Sequence, residues 1–386
     1  MLRVLPFDHA IRNALRRPVR SGFVVLATAL VTALLVGTSA FVRSLERSHL
    51  ASAPAKTGIL LSNSSLRDLV RSSMGRSVAD LVAADVRGVV RIDGIPASSP
   101  EIHMGTKLRS GAGVSRNGFV RGVTERAYLV HEALTVVEGR LPGPGEALVG
   151  RLAARKCQAP DSEFRIGETI EIEGGRFEIV GRFAAPGSTL EAEIWVPLAE
   201  LQSLAQRADV SGVFVRLQSD EDQAELSLFA NRRLDLELVS IPAKQYYAEA
   251  ASYFAPVLML AWSMALLVGL AACVGGANLV LSAVQERQRE LAVFRAIGFR
   301  GVALVFTVLE EVLVLSMMGA LLGLFVARSL VAESSFGIAM SAFELQVDSA
   351  SMLIGLIGIL GIVVLGAVPA LFRVLRLPVA RALDAC

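Results

Sequence analysis

Lysine is nearly missing from this chain: among its 38 basic residues only Lys56, Lys107, Lys156 and Lys244 are lysines. None of the four follows a glycine, the preceding residues being Ala55, Thr106, Arg155 and Ala243. The Gly-Lys pair of a phosphate-cradling GxxxxGK(S/T) loop is therefore absent, and these residues hold no P-loop. Cysteine is scarce too. Cys157, Cys273 and Cys386 provide neither a disulfide framework nor a metal-like spacing, and each reads as a small apolar residue. Charge is low, at 19% of residues against about 25% in soluble domains. With a net charge of +2 and no dense basic tract, nothing marks a nucleic-acid partner. Neither an HExxH nor a GxSxG frame occurs, and His103 and His131 stand isolated in the sequence, which favours structural histidines over catalytic ones.

What is there instead is apolar. Hydrophobic residues make up 53% of the chain and mean hydropathy is +0.55, concentrated in one block near the start and three blocks after Phe254. Residues 21–42 carry no charge over 22 positions, or ~33 Å as a helix, enough for a hydrocarbon core of ~30 Å. Arg16, Arg17 and Arg20 precede the block, as in a signal peptide. Its length exceeds the usual h-region and no small-x-small site follows, so we expect an uncleaved signal anchor. Residues 250–285 are uncharged for 36 positions, ~54 Å as one helix. The surplus over the bilayer suggests a stalk, with Tyr246, Tyr247, Tyr253 and Trp262 at its outer end; a break at Pro256 is the alternative. A third span is expected at residues 302–331, with Glu310 and Glu311 near one end and Arg328 at the other, and a fourth at 351–371.

Arginine fixes the expected orientation. Arg3, Arg12, Arg16, Arg17 and Arg20 precede span one, Arg287, Arg289, Arg295 and Arg300 follow span two, and Arg373, Arg376 and Arg381 follow span four. The loop at 332–350 has three acids and no Lys or Arg. Both termini are then cytoplasmic, and residues 43–249 face outward as a core domain with stalk ends. In that region residues 67–84 show helical spacing, and strand patterns appear at Val89–Ile92, Phe119–Val123 and Ile194–Pro197, the last leading into a helix at 198–206. A hairpin is expected at 168–183, turning at Gly174-Gly175. The fold class expected is an α-helical membrane protein of four transmembrane helices, with a mixed α/β extracytoplasmic domain inserted between helices one and two.

The densest motif lies just after span two, in residues 286–301: Glu286-Arg287, Glu290-Leu291 and Phe294-Arg295-Ala296-Ile297-Gly298. Leu291, Phe294 and Ile297 repeat every three residues beside charged faces, and Gly298 suits a helix stop. Upstream, Phe7, Ile11 and Leu15 line one side of residues 1–20 opposite Arg12 and Arg16, as in a helix lying on a membrane surface. These segments resemble the FtsX-like/MacB-type permeases of ABC transporters, whose pattern ER-x-x-EI-x-x-LRA-(I/L)-G is matched at 286–298. A Glu near the start of the next span is typical of that family, and Glu310 or Glu311 fills the place. The tail, residues 372–386 with Leu377-Pro378-Val379-Ala380-Arg381, is similar to the family's closing motif. Weaker matches to a MacB-like periplasmic core domain run in order through Arg121-Gly122-Val123, Glu138-Gly139-Arg140, Glu146–Val149, Ile166-Gly167-Glu168 and Phe177–Gly181.

The resemblance implies a permease subunit that hydrolyses nothing itself, with ATP and Mg2+ bound on a separate ABC ATPase subunit. The macrolide exporters of the family carry a fused ATPase; this chain looks like the split form. Glu286, Arg287, Glu290, Leu291, Phe294, Arg295, Ile297 and Gly298 would be the coupling helix, with Glu310 and Glu311 supporting it structurally rather than relaying protons. Implied partners are a second permease copy or paralogue, a periplasmic adaptor and membrane lipid. Gly275, Gly276 and Asn278 in span two and Gly319 and Gly323 in span three are candidates for close helix packing. The work expected is ATP-driven export or extraction of a lipid, lipoprotein, peptide or drug. The alternative is an FtsX-like transmitter of force to an outward cell-wall hydrolase; an enzyme of its own is the remote third reading. The size and core-domain motifs of the outward region favour export.

Overall fold

The computed structural model describes residues 18–111, 113–331, 335–338 and 341–376. The amphipathic helix expected at 1–20 and the closing tail therefore lie almost wholly outside the described residues. The chain divides into two compact units, one holding the apolar helices and the other residues 44–255 with 335–344.

Four helices are long and apolar enough to cross a membrane: Pro18–Ala51, Ala255–Glu286, Gly301–Val331 and Ser349–Leu375. We call them helices one to four. Helix one continues nine residues past position 42, through Arg43, Glu46 and Arg47, because nothing in that polar stretch breaks a helix before Pro54. Span two departs from the expected single 36-residue helix. Ala243–Ser252 forms one helix, the chain turns at Tyr253-Phe254, and helix two starts at Ala255. Pro256 explains the break: it lacks an N–H and would clash with the carbonyl of Ser252, yet is well placed in the first turn of a new helix. Helix four opens with Asp348, whose carboxylate accepts from the Ser351 amide at 2.9 Å and pairs with Arg43 at 3.0 Å.

Glycine is what joins these helices. In lipid there is little hydrophobic drive between apolar surfaces, so contact depends on how closely backbones approach. A methyl added at Gly319 would overlap Thr28 and the Val25 carbonyl, and one at Gly323 the Ala29 carbonyl, so helix three lies against helix one along this pair. Gly355 meets Val36 and Gly358 meets Leu35, which brings helix four to helix one, while Gly366 abuts the Cys273 carbonyl of helix two. Gly275 and Gly276 make no such contact within the chain: among the described residues, the nearby backbone of their own helix aside, no atom lies within 4 Å of a Cβ built at either, and Asn278 is exposed.

The other unit is built on a ten-stranded mixed sheet. From one edge the strands are Leu238–Pro242, Thr57–Ser62, Gly212–Arg216, Ser98–Arg109, Ser115–Val123, Ile194–Pro197, Glu146–Gly150, Gly175–Ala184 and Thr135–Gly139, with Thr169–Ile172 pairing beside two of them. Leu60, Val82, Ile102, Val120, Phe177 and Ile194 lie in its main core. Cys157 is buried in the same core, and burial pushes its thiol up to about 11. The helix expected at 67–84 is confined to Val78–Asp85. Ahead of it Leu66 and Arg67 take positive φ, Asp68 accepts from the Val70 amide, and Ser72 accepts from the Ser62 amide. Such local side-chain bonds compete with a helical ladder. The hairpin at 169–184 turns one residue earlier than expected, at Glu173-Gly174 with φ of 49° and 82°, so that Gly175 pairs with Ile172. The side chain of Leu204 fills the space over Gly175, which leaves no room there for a Cβ.

Replacing Gly323 with leucine should cost about 1–3 kcal/mol by overpacking and lower the temperature at which detergent-solubilised protein aggregates, followed by size-exclusion chromatography after heating. Gly361→Leu, where nothing stands within 4 Å, should leave that temperature unchanged.

Candidate functional site

Directly after helix two the chain forms a second short helix, Gln288–Ala296, with Arg287 at the joint. Leu291 and Ala292 are buried in a cluster with Val280, Val284, Leu304, Ala370 and Val374, which draws on helices two, three and four. Phe294 is half-buried beside this cluster and meets Phe299 edge-on, with centroids 5.8 Å apart. Arg295 donates to the Leu375 carbonyl at 3.3 Å. Gly298 ends the segment at φ 102°, a conformation that costs glycine little and other residues much.

The apolar stripe expected at Leu291, Phe294 and Ile297 is split. The first two turn into the bundle, whereas Ile297 is 64% exposed and joins Val293, four residues earlier and 42% exposed. Arg289 and Glu290 flank them, also exposed. The short helix is thus held from behind and presents Arg289, Val293 and Ile297 outward. Val293 and Arg289 escaped the sequence reading, although their i, i+4 spacing with Ile297 was there to be seen.

One ion pair ties the joint to helix three. Arg287 Nη1 donates to Glu311 Oε2 at 2.7 Å and Nη2 to Oε1 at 3.1 Å, with both side chains about 15% exposed. A planar guanidinium facing a carboxylate in this way fixes direction as well as distance. Of the two candidate acids it is Glu311 that meets Arg287. Glu286, one residue earlier, lies 3.8 Å from Arg20 of helix one.

The sheet-bearing unit holds a second charged assembly, now fully buried. Arg121 pairs in register with His103 on one neighbouring strand and Trp195 on the other. Glu101 and Glu193 stand two residues before those partners and so share their face of the sheet. Arg121 donates from Nε and Nη2 to Glu193, both at 2.7 Å, and from Nη1 to Glu101 at 2.8 Å. His131 lies 2.9 Å from Glu101, and His103 3.3 Å. Trp195 donates its indole N–H to Glu193, and the guanidinium sits 5.3 Å from the Trp195 ring and 5.6 Å from Phe214. The two histidines, isolated in sequence, are therefore companions on one carboxylate. Burial alone would raise Glu101; the charges of His131 and Arg121 and two hydrogen bonds hold it well below its usual 4.5 instead. Burial, then the charge of Arg121, lowers His103 from 6.5.

Residues 21–227 match the MacB-like periplasmic core domain and residues 262–379 the FtsX-like permease C-terminal domain. The chain belongs to the FtsX/MacB-type ABC permeases. This permease is 24% identical over 301 residues to the macrolide export ATP-binding/permease protein MacB of Bordetella avium, covering 73% of the chain and 45% of that protein. It is 26% identical over 246 residues to MacB of Photorhabdus laumondii, covering 60% and 38%. The chain thus spans less than half the length of these curated relatives. The periplasmic region of MacB from Actinobacillus actinomycetemcomitans aligns with half of the chain and 92% of its own, at 13% identity and a TM-score of 0.39. The permease is a multipass membrane protein with a periplasmic-type α/β domain.

In this permease the buried assembly makes acid the weak direction of the periplasmic-type unit. Glu101 contributes fully above its unfolded value near 4.5, and that contribution is lost as pH falls through its lower folded value. Below 6.5 an unfolded His103 takes up a proton that the fold resists, so stability declines from that pH downward. Urea denaturation monitored by tryptophan fluorescence should show a midpoint falling steadily from pH 7 to pH 4. His103→Phe should flatten the portion between 6.5 and 5, and Arg121→Ala should cost about 3–5 kcal/mol at neutral pH, since it strands two buried carboxylates.

Proposed function

We propose that this permease carries ATP-driven motion from a separate ABC ATPase subunit to its outward domain, and thereby exports or extracts an amphipathic substrate such as a lipid, lipoprotein, peptide or drug. The observation that carries the reading is the paired Arg287 and Glu311. A helix gripped by a motor transmits nothing unless it is fastened to what must move, and this pair fastens Gln288–Ala296 to helix three. The exposed Arg289, Val293 and Ile297 supply a surface of mixed charge and apolar contact for the ATPase. ATP and Mg2+ would be held there, since no lysine of this chain follows a glycine. The distribution of arginine favours a cytoplasmic position for both termini and the short helix. The working assembly is a pair of permeases, identical or paralogous, over two ATPase subunits, with a periplasmic adaptor outside. The curated relatives are named for macrolide export, and the core-domain match over residues 21–227 favours transport over control of a cell-wall hydrolase.

Reconstituted with its ATPase, the permease should stimulate ATP hydrolysis. Glu311→Gln and Arg287→Gln should each reduce that stimulation at least fivefold, with Glu310→Gln close to wild type, and the exchange Arg287→Glu/Glu311→Arg should restore part of it. Full stimulation by both single variants would rule the pair out as the fastening. A cysteine at Arg295 should resist impermeant maleimide in intact cells; labelling from outside would reverse the topology.

A further inference from the structure

Behind the Arg287–Glu311 pair the apolar helices enclose a cavity of about 210 Å³. Ala272, Gly276 and Ala283 of helix two, Val31 of helix one, Leu315 of helix three and Ile362 of helix four contribute to its wall. Gly275 and Gly276, which no side chain among the described residues approaches, border this space, so their lack of a Cβ keeps it open.

Two features show that the cavity is more than a packing defect. Ser316 is 6% exposed and lines it, yet its hydroxyl has no hydrogen-bond partner among the described residues. Two other hydroxyls of the same helix bond back to a carbonyl four residues earlier, Thr307 to Ala303 at 3.1 Å and Ser329 to Phe325 at 2.9 Å. A buried hydroxyl left without that bond calls for an acceptor from outside the chain. The second feature is the mouth, where Arg20, Arg287, Glu290 and Glu311 stand together at one end of the space. Their formal charges sum to zero, and Arg20 and Arg287 are already met by Glu286 and Glu311, so the mouth suits a zwitterion better than an anion. Ser316 lies five residues along helix three from Glu311, ~7.5 Å deeper, with apolar wall beyond it.

Charge at the mouth, one hydroxyl donor a few ångströms in, and hydrocarbon beyond is the order of groups along a membrane lipid. We propose that the cavity is a binding site for a zwitterionic glycerophospholipid. Its phosphate lies toward Arg20 and its amine toward Glu290, an ester carbonyl accepts from Ser316 Oγ, and part of one acyl chain fills the space between Ala272, Val31 and Ile362. The site goes beyond the coupling reading and depends on neither ATP nor a partner.

The full chain in nanodiscs of mixed phosphatidylethanolamine and phosphatidylglycerol tests this directly. A phosphatidylethanolamine with a diazirine on one chain should crosslink within residues 272–283 and 308–316, and Gly276→Phe should lower that labelling at least fivefold. Leu267→Phe, on an exposed part of the same helix, should leave it unchanged. Native mass spectrometry should find diester phosphatidylethanolamine retained at least threefold over its diether analogue, which lacks the carbonyls, and Ser316→Ala should abolish that preference. Labelling indifferent to Gly276→Phe, equal retention of diester and diether lipid by wild type, or stronger retention of phosphatidylglycerol would each overturn the assignment.

Discussion

A guanidinium placed where apolar helices end must be met by an opposite charge at close range, and one end of the helical unit is arranged around one such meeting. Arg287 sits at the joint between helix two and the short helix that follows, and Glu311 comes from helix three. With both side chains mostly withdrawn from solvent, water screens them weakly, so the pair holds direction in a way that an exposed one would not. The neighbouring apolar cluster of Leu291, Ala292 and Val374 then locks in place what the charges have aligned.

The periplasmic-type domain uses the same device with different emphasis. Arg121 lies in the middle of the sheet and answers two carboxylates from the strands on either side, so it acts as the bound cation would in a metal-stapled domain. Such an assembly is weak evidence for stability gained, because desolvating the charges is costly. Its larger effect is on register: a slip of one residue along the strand Ser115–Val123 would carry Arg121 to the opposite face and leave Glu101 and Glu193 buried without their partner.

Much of this was legible in the sequence because each signal was long or local. Twenty and more uncharged residues have few interpretations, and the alternation in Thr169–Ile172 and Phe177–Val180 announces paired strands. What escaped was decided by contacts far apart in the chain. Nothing in a lone His103 or His131 says that both turn to Glu101, although an arginine amid Phe119-Val120 and Gly122-Val123 signals that some buried acid must exist. The turn at Tyr253-Phe254 depended on whether one proline outweighs a run of 36 uncharged residues, and the missing N–H and steric clash of Pro256 did so. Likewise the stripe Leu291, Phe294, Ile297 was real as periodicity, but only the fold decides which of its members face inward.

That turn has a mechanical consequence. Helix one is a single rod of 34 residues, whereas the return path is two rods, Ala243–Ser252 and Ala255–Glu286, meeting at a two-residue joint. A continuous α-helix passes both push and twist from one end to the other. Two helices joined by a two-residue turn share no unbroken hydrogen-bond ladder, so a twist of Ala243–Ser252 is not carried whole into helix two.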